Sequence, residues 1–109
     1  MILNIYEKKK AVKTYEADSY DLMWETVEDV AAAIDIDSLK DSTNFEIIKM
    51  VMKFVVADID VFKRLMLDIF DGLTVEELRH TKVREIAEVM VDVIKFTMGE
   101  FATIGNSKN

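Results

Sequence analysis

Between Asp58 and Leu78 the chain reads DIDVFKRLMLDIFDGLTVEEL. Phe62, Leu65, Met66, Ile69 and Phe70 fall at the i, i+3, i+4, i+7, i+8 spacing of a wide apolar helical stripe. Asp71 and Gly72 end it, because glycine enters the left-handed region favoured after a helix without steric cost. Thr74, with Glu77 three residues on, forms a capping box for the next turn. Upstream, Thr43 and Glu46 form another, which predicts a helix over 44–57. That helix is apolar on nearly all sides (Phe45, Ile47, Ile48, Met50, Val51, Met52, Phe54, Val55, Val56) and leaves Glu46, Lys49 and Lys53 for solvent. A helix hydrophobic all round is central or lies at an interface. Asp58 or Asp60 caps the following helix, although the pattern would also allow one long kinked helix from 44 to 70.

Toward the N-terminus the period changes. Residues 2–6 (ILNIY) and 11–16 (AVKTYE) are rich in β-branched and aromatic residues and flank polar Glu7 to Lys10, which predicts a β-hairpin without an Asn-Gly or Asp-Gly turn. An isolated hairpin is marginal in water, so it packs on the helices or on a strand of a second copy. Asp18 and Ser19 can cap a first helix over 20–34, with Met23, Val27, Val30, Ala31 and Ile34 on one face. Trp24 sits one step off that stripe, either as a large residue at the edge of the core or as a partner-binding anchor. Residues 35–43 connect to the second helix. Thr81 can cap a last helix over 82–101, about 30 Å long, whose stripe is Val83, Ile86, Met90, Val93, Thr97 and Phe101, broadened by Ala87, Val89, Ile94 and Met98. Residues 103–109 are expected to fray. The fold class is therefore mainly α (α+β): one domain over 1–109, with a hairpin at 1–17, a body of four to five helices at 18–102 and a flexible tail at 103–109.

Composition narrows the function more than the fold. The 109 residues are half hydrophobic, enough for a core, and contain neither cysteine nor proline. Lacking cysteine, the chain has no disulfide or thiolate and suits a reducing cytoplasm. The formal charge is −7, with +3 in residues 1–13 and −10 in the remainder. A chain this acidic repels phosphates, which argues against nucleic acid as a partner, and Lys8 to Lys10 read as a solvated turn. The N-terminus places its apolar residues before its basic ones, the reverse of an export signal, and no run of about eighteen uncharged apolar residues occurs, so neither export nor a membrane span is expected.

No candidate for chemistry survives inspection. Asp35, Asp37 and Glu46 match positions 1, 3 and 12 of a calcium loop, but Leu39 and Lys40 stand where a ligand and a glycine are needed. Glu77 and His80 have Glu-x-x-His spacing, yet a di-iron bundle needs a second copy of it and further carboxylates. His80, the one histidine, is expected to be exposed near the end of a short helix. Glu85, Glu88 and Asp92 share the helical face opposite the stripe and read as solvated. With one histidine and three glycines, neither a Ser-His-Asp arrangement nor a phosphate loop can be built. The expectation is a non-enzyme without metal or cofactor. Met23, Met50, Met52, Met66, Met90 and Met98 lie on or near helical stripes, as core residues or as an adaptable surface for an apolar partner.

The order of features resembles the small tail assembly chaperones of long-tailed bacteriophages and prophages of Gram-positive hosts. The likeness rests on KTYEAD at 13–18 ending the hairpin, Leu22, Met23 and Trp24 in the first helix, FKRLMLDIFDGLTVEEL at 62–78, and REIAEVMVDVIKFTMGEF at 84–101. It implies a protein made in the host cytoplasm during infection that binds the largely helical tape measure protein, keeps its apolar segments from aggregating and is absent from the mature virion. Partner contacts are expected on the second and last helices with Trp24, at Trp24, Met50, Phe54, Met90 and Phe101, while 58–78 holds those helices in place. Such families often make a longer product by frameshifting. The codons allowed for Ser107-Lys108-Asn109 include an A-rich run on which a backward slip re-pairs, and AAG at Lys108 would exclude it. The competing expectation is a small acidic helical adaptor or structural protein that acts by homo-dimerisation through its second helix.

Overall fold

A computed structural model describes the backbone of residues 1–35, 37–39 and 41–107, and the side chains of these residues except Asp37 and those from Glu100 onward. Strands β1 (Ile2–Glu7) and β2 (Lys10–Glu16) pair antiparallel. Lys8 and Lys9 fill the two turn positions at φ 49° and 70°, the left-handed region that a two-residue hairpin turn demands and that lysine enters at a cost. Ile5 faces Lys13 while Tyr6 faces Ala11, so Val12 is the extra residue of a β-bulge. Leu3 and Ile5 enter the core. The hairpin pairs within the chain and packs on helices, one of the two arrangements expected.

The first helix is shorter than its stripe predicts. Asp18 caps only a 3-10 turn, Ser19–Asp21, by accepting from the Tyr20 amide at 2.9 Å. Leu22 is extended and packs against the core, and α1 (Trp24–Ala33) begins after Met23, with no side-chain cap. This break turns Met23 out of the stripe and buries Thr26 beside Val27 and Val30.

Helix α2 (Asn44–Ala57) starts at the Thr43–Glu46 capping box. Asp58 ends it and caps α3 (Ile59–Ile69), with backbone angles of −147° and 69° that no continuous helix can hold. The two helices are thus separate. Phe62, Leu65, Met66, Ile69 and Phe70 are buried as their spacing requires. Helix α3 ends at Ile69, and Gly72, at φ +88°, serves a tight turn in which the Leu73 amide donates to the Phe70 carbonyl at 3.1 Å. The Thr74–Glu77 capping box then opens α4 (Val75–Leu78). Thr81 does not cap the last helix: its hydroxyl donates to the Leu78 carbonyl at 2.7 Å. Helix α5 (Val83–Ser107) runs past the expected end at Phe101, so the backbone of 103–107 is helical rather than a frayed tail. No proline interrupts the segment, and the single glycine at 105 weakens a helix without stopping it.

Among the described residues five α-helices and one hairpin thus make a mainly α fold, in which α5 contacts β1, α1 and α2 while α3 braces α1, α2 and α4. Met90, Val93, Ile94 and Thr97 on α5 are fully buried against Val30, Val51, Leu65 and Met66 of the surrounding helices. Among the described residues no helix is long and apolar enough to cross a membrane.

Candidate partner-binding surface

The capping box fixes where α2 starts, and its angular pattern decides what faces out. Ile47, Val51 and Phe54 point into the core. That leaves a second apolar stripe, Phe45, Ile48, Met52 and Val56, at successive spacings of three, four and four residues, with Ile48 half-buried against the core. Phe45 is 69% and Val56 83% exposed, and no element among the described residues covers them. Ile48, Lys49, Met52, Lys53, Val56 and Ala57 line an open, almost wholly apolar groove of about 520 Å³ along the surface of α2. Lys49 and Lys53 form its rim and also border a smaller hollow of about 200 Å³ with Glu46 and Met50. The Lys49 ammonium lies 5.6 Å from the centre of the Phe45 ring, a cation–π contact. Among the described residues neither lysine has a carboxylate at ion-pair distance.

The residues expected to contact a partner do not converge. Trp24 is 58% exposed, so it is not a core residue; its indole N–H donates to Glu28, and Met23 and Tyr20 are exposed as well. Tyr20, 85% exposed, rests edge-on against Phe96 of α5. Met50 is half-buried on α2 and borders the smaller hollow. Phe54 and Met90 are core residues and are unavailable for contact without unfolding, because the inward faces of α2 and α5 meet each other. The Phe101 side chain and the Lys108–Asn109 pair lie outside the described residues. From the sequence Phe45, Ile48, Met52 and Val56 read as parts of one all-round apolar helix, central or at an interface, and Lys53 as solvent-facing, so the two stripes are not told apart. The signal that separates them is the change of spacing from Ile47, Val51, Phe54 to Phe45, Met52, Val56.

A different part of the molecule holds its polar side chains together. Glu85, expected to be solvated, is only 8% exposed. It accepts from the Asn4 amide at 3.2 Å, the Asn4 side chain at 2.7 Å and the Tyr6 hydroxyl at 2.5 Å. Burial pushes its carboxyl up, but the bonds from Tyr6 and Asn4 and the charge of Lys82 outweigh that and hold it below the ordinary value. The same Glu85 bond raises Tyr6 above the usual tyrosine range. The outer edge of β1 is thereby occupied, since the Tyr6 amide also donates to the His80 carbonyl at 2.8 Å.

Glu77 ties the other strand down. It accepts from the Tyr15 hydroxyl at 2.7 Å and pairs with Lys13 at 3.1 Å. Tyr15, Lys13 and the Thr74 amide hold its carboxyl down to about 2, and Tyr15 and Glu77 raise Lys13. Glu77 and His80 therefore do not form a ligand pair: His80 is exposed just after α4 and meets Glu76 at 3.3 Å. In the connector the Asp35 carboxylate accepts from the Ser38 amide, and Glu46 is committed to its capping box; the Asp37 side chain and Lys40 lie outside the described residues. Among the described residues no three His, Asp or Glu side chains cluster as metal ligands would. These polar groups clamp the hairpin to α4 and α5, whereas the outward face of α2 and the Tyr20, Met23 and Trp24 side chains are exposed apolar surface among the described residues.

Comparison with protein-family models, curated proteins and solved structures returns no match for this chain.

Proposed function

We propose that the chain is a tail assembly chaperone of a long-tailed bacteriophage, a binding protein rather than an enzyme, which takes up apolar helical segments of the tape measure protein and keeps them soluble while the tail is built. On this reading it acts in the host cytoplasm and does not enter the mature virion. The observation that carries the proposal is the outward face of α2, where exposed Phe45, Met52 and Val56, with half-buried Ile48 between them, present an apolar stripe at helical spacing. The competing reading, homo-dimerisation through the same helix, is disfavoured by Lys49 and Lys53. A two-fold contact centred on the groove sets both lysines of one copy near both of the other, and like charges brought together under a covering helix destabilise the contact.

Co-expression with a helical tape measure fragment tests the proposal. The fragment is expected to become soluble in complex with the chain. Val56→Asp, at a position too exposed to affect folding, is expected to abolish that solubility. A fragment that stays insoluble with the wild-type chain, or one that Val56→Asp rescues equally well, would overturn the assignment.

A further inference from the structure

We infer that the α2 groove is charge-coded: it takes an amphipathic helix whose apolar ridge is flanked by acidic residues. This rests on the reading of α2 as the docking face and adds the chemical class of its occupant. The groove runs between two rows of side chains four residues apart, Ile48-Met52-Val56 and Lys49-Lys53-Ala57. Such a furrow accepts the matching row of a second helix, crossing at about −50°. One wall is apolar, and the other carries two ammonium groups a single turn apart. Both lack an ion-pair partner among the described residues, and Glu46, the one acidic residue of α2, is bound to Thr43.

The lysine stems line the groove and both ammonium groups stand at its rim, so a helix laid into it brings its flanking side chains beside them. Acidic residues one turn apart beside the apolar ridge gain two partly screened ion pairs there, whereas a basic helix adds repulsion. The local preference also runs against the chain as a whole. With a net charge of −7, long-range attraction favours a basic peptide, so selection of an acidic one can come only from the groove itself.

Two synthetic amphipathic peptides with an identical Leu/Ala ridge, one flanked by Glu and the other by Lys, would be titrated against the full chain by fluorescence anisotropy at low and high salt. The Glu-flanked peptide is expected to bind about tenfold more tightly at low salt, from two partner pairs gained and two repulsions avoided. The difference should narrow at about 1 M salt, where charges are screened within a few ångströms. The double variant Lys49→Glu/Lys53→Glu, altered only at exposed positions, is expected to reverse the order. Equal affinities, a preference for the Lys-flanked peptide, or an order unchanged in the double variant would overturn the charge code. Val56→Asp tells the two levels apart. Equal binding of both peptides that this variant abolishes leaves the docking face standing and removes the code, whereas failure of both peptides to bind the wild-type chain removes both.

Discussion

Replacing Glu85 by alanine is expected to destabilise the fold by about 3 kcal/mol. The carboxylate receives three hydrogen bonds from β1, and each hydrogen bond to a charged group contributes about 1.5–3 kcal/mol. The sum is not additive, because all three converge on one group and water can reach the Asn4 and Tyr6 donors once it is gone. For a domain of this size such a loss lowers Tm by roughly 10–20 °C. Urea unfolding followed by far-UV circular dichroism measures it, with Glu88→Ala, an exposed carboxylate on the same helix, as the control expected within about 0.5 kcal/mol of wild type. Glu85→Gln keeps an acceptor and should cost about half as much as alanine. A double-mutant cycle with Tyr6→Phe should reveal positive coupling across the 2.5 Å contact. If Glu85→Ala and Glu88→Ala are indistinguishable, Glu85 does not clamp the hairpin and its burial has no energetic consequence.

Two further outcomes concern the hairpin. Lys8→Asn with Lys9→Gly supplies the residues that tolerate φ of 49° and 70° and should raise stability by about 1 kcal/mol in the same urea assay. Acidification should loosen β2 from α4. Glu77 titrates near 2 when folded and near the ordinary glutamate value when unfolded, so its contribution is complete above about 4.5 and is lost as pH falls toward 2. Hydrogen exchange of the hairpin amides across that window, compared with Glu77→Gln, measures the effect; identical pH profiles for the two proteins would refute it.

Much of the fold is legible in single residues. Thr43 with Glu46, Thr74 with Glu77, and the spacing from Phe62 to Phe70 each admit one local solution, and the structure adopts it. What periodicity could not supply is tertiary. Glu85 reads as solvated because its neighbours Glu88 and Asp92 are, and only the arrival of Asn4 and Tyr6 from the other end of the chain buries it. Met90 and Phe54 look like contact residues until α5 and α2 are seen to face each other. The outward stripe of α2 was hidden for a related reason: a helix apolar on every side gives no phase until one side is packed.

The clamp at Glu85 also bears on the order in which the chain acquires its shape during synthesis. Its partners lie 79 and 81 residues upstream, a delay of about 4–16 s at usual rates of translation. The hairpin itself closes in microseconds. Alone it is only marginally stable, so for that interval Leu3 and Ile5 stay uncovered, and β1 is seated only once α5 has been made.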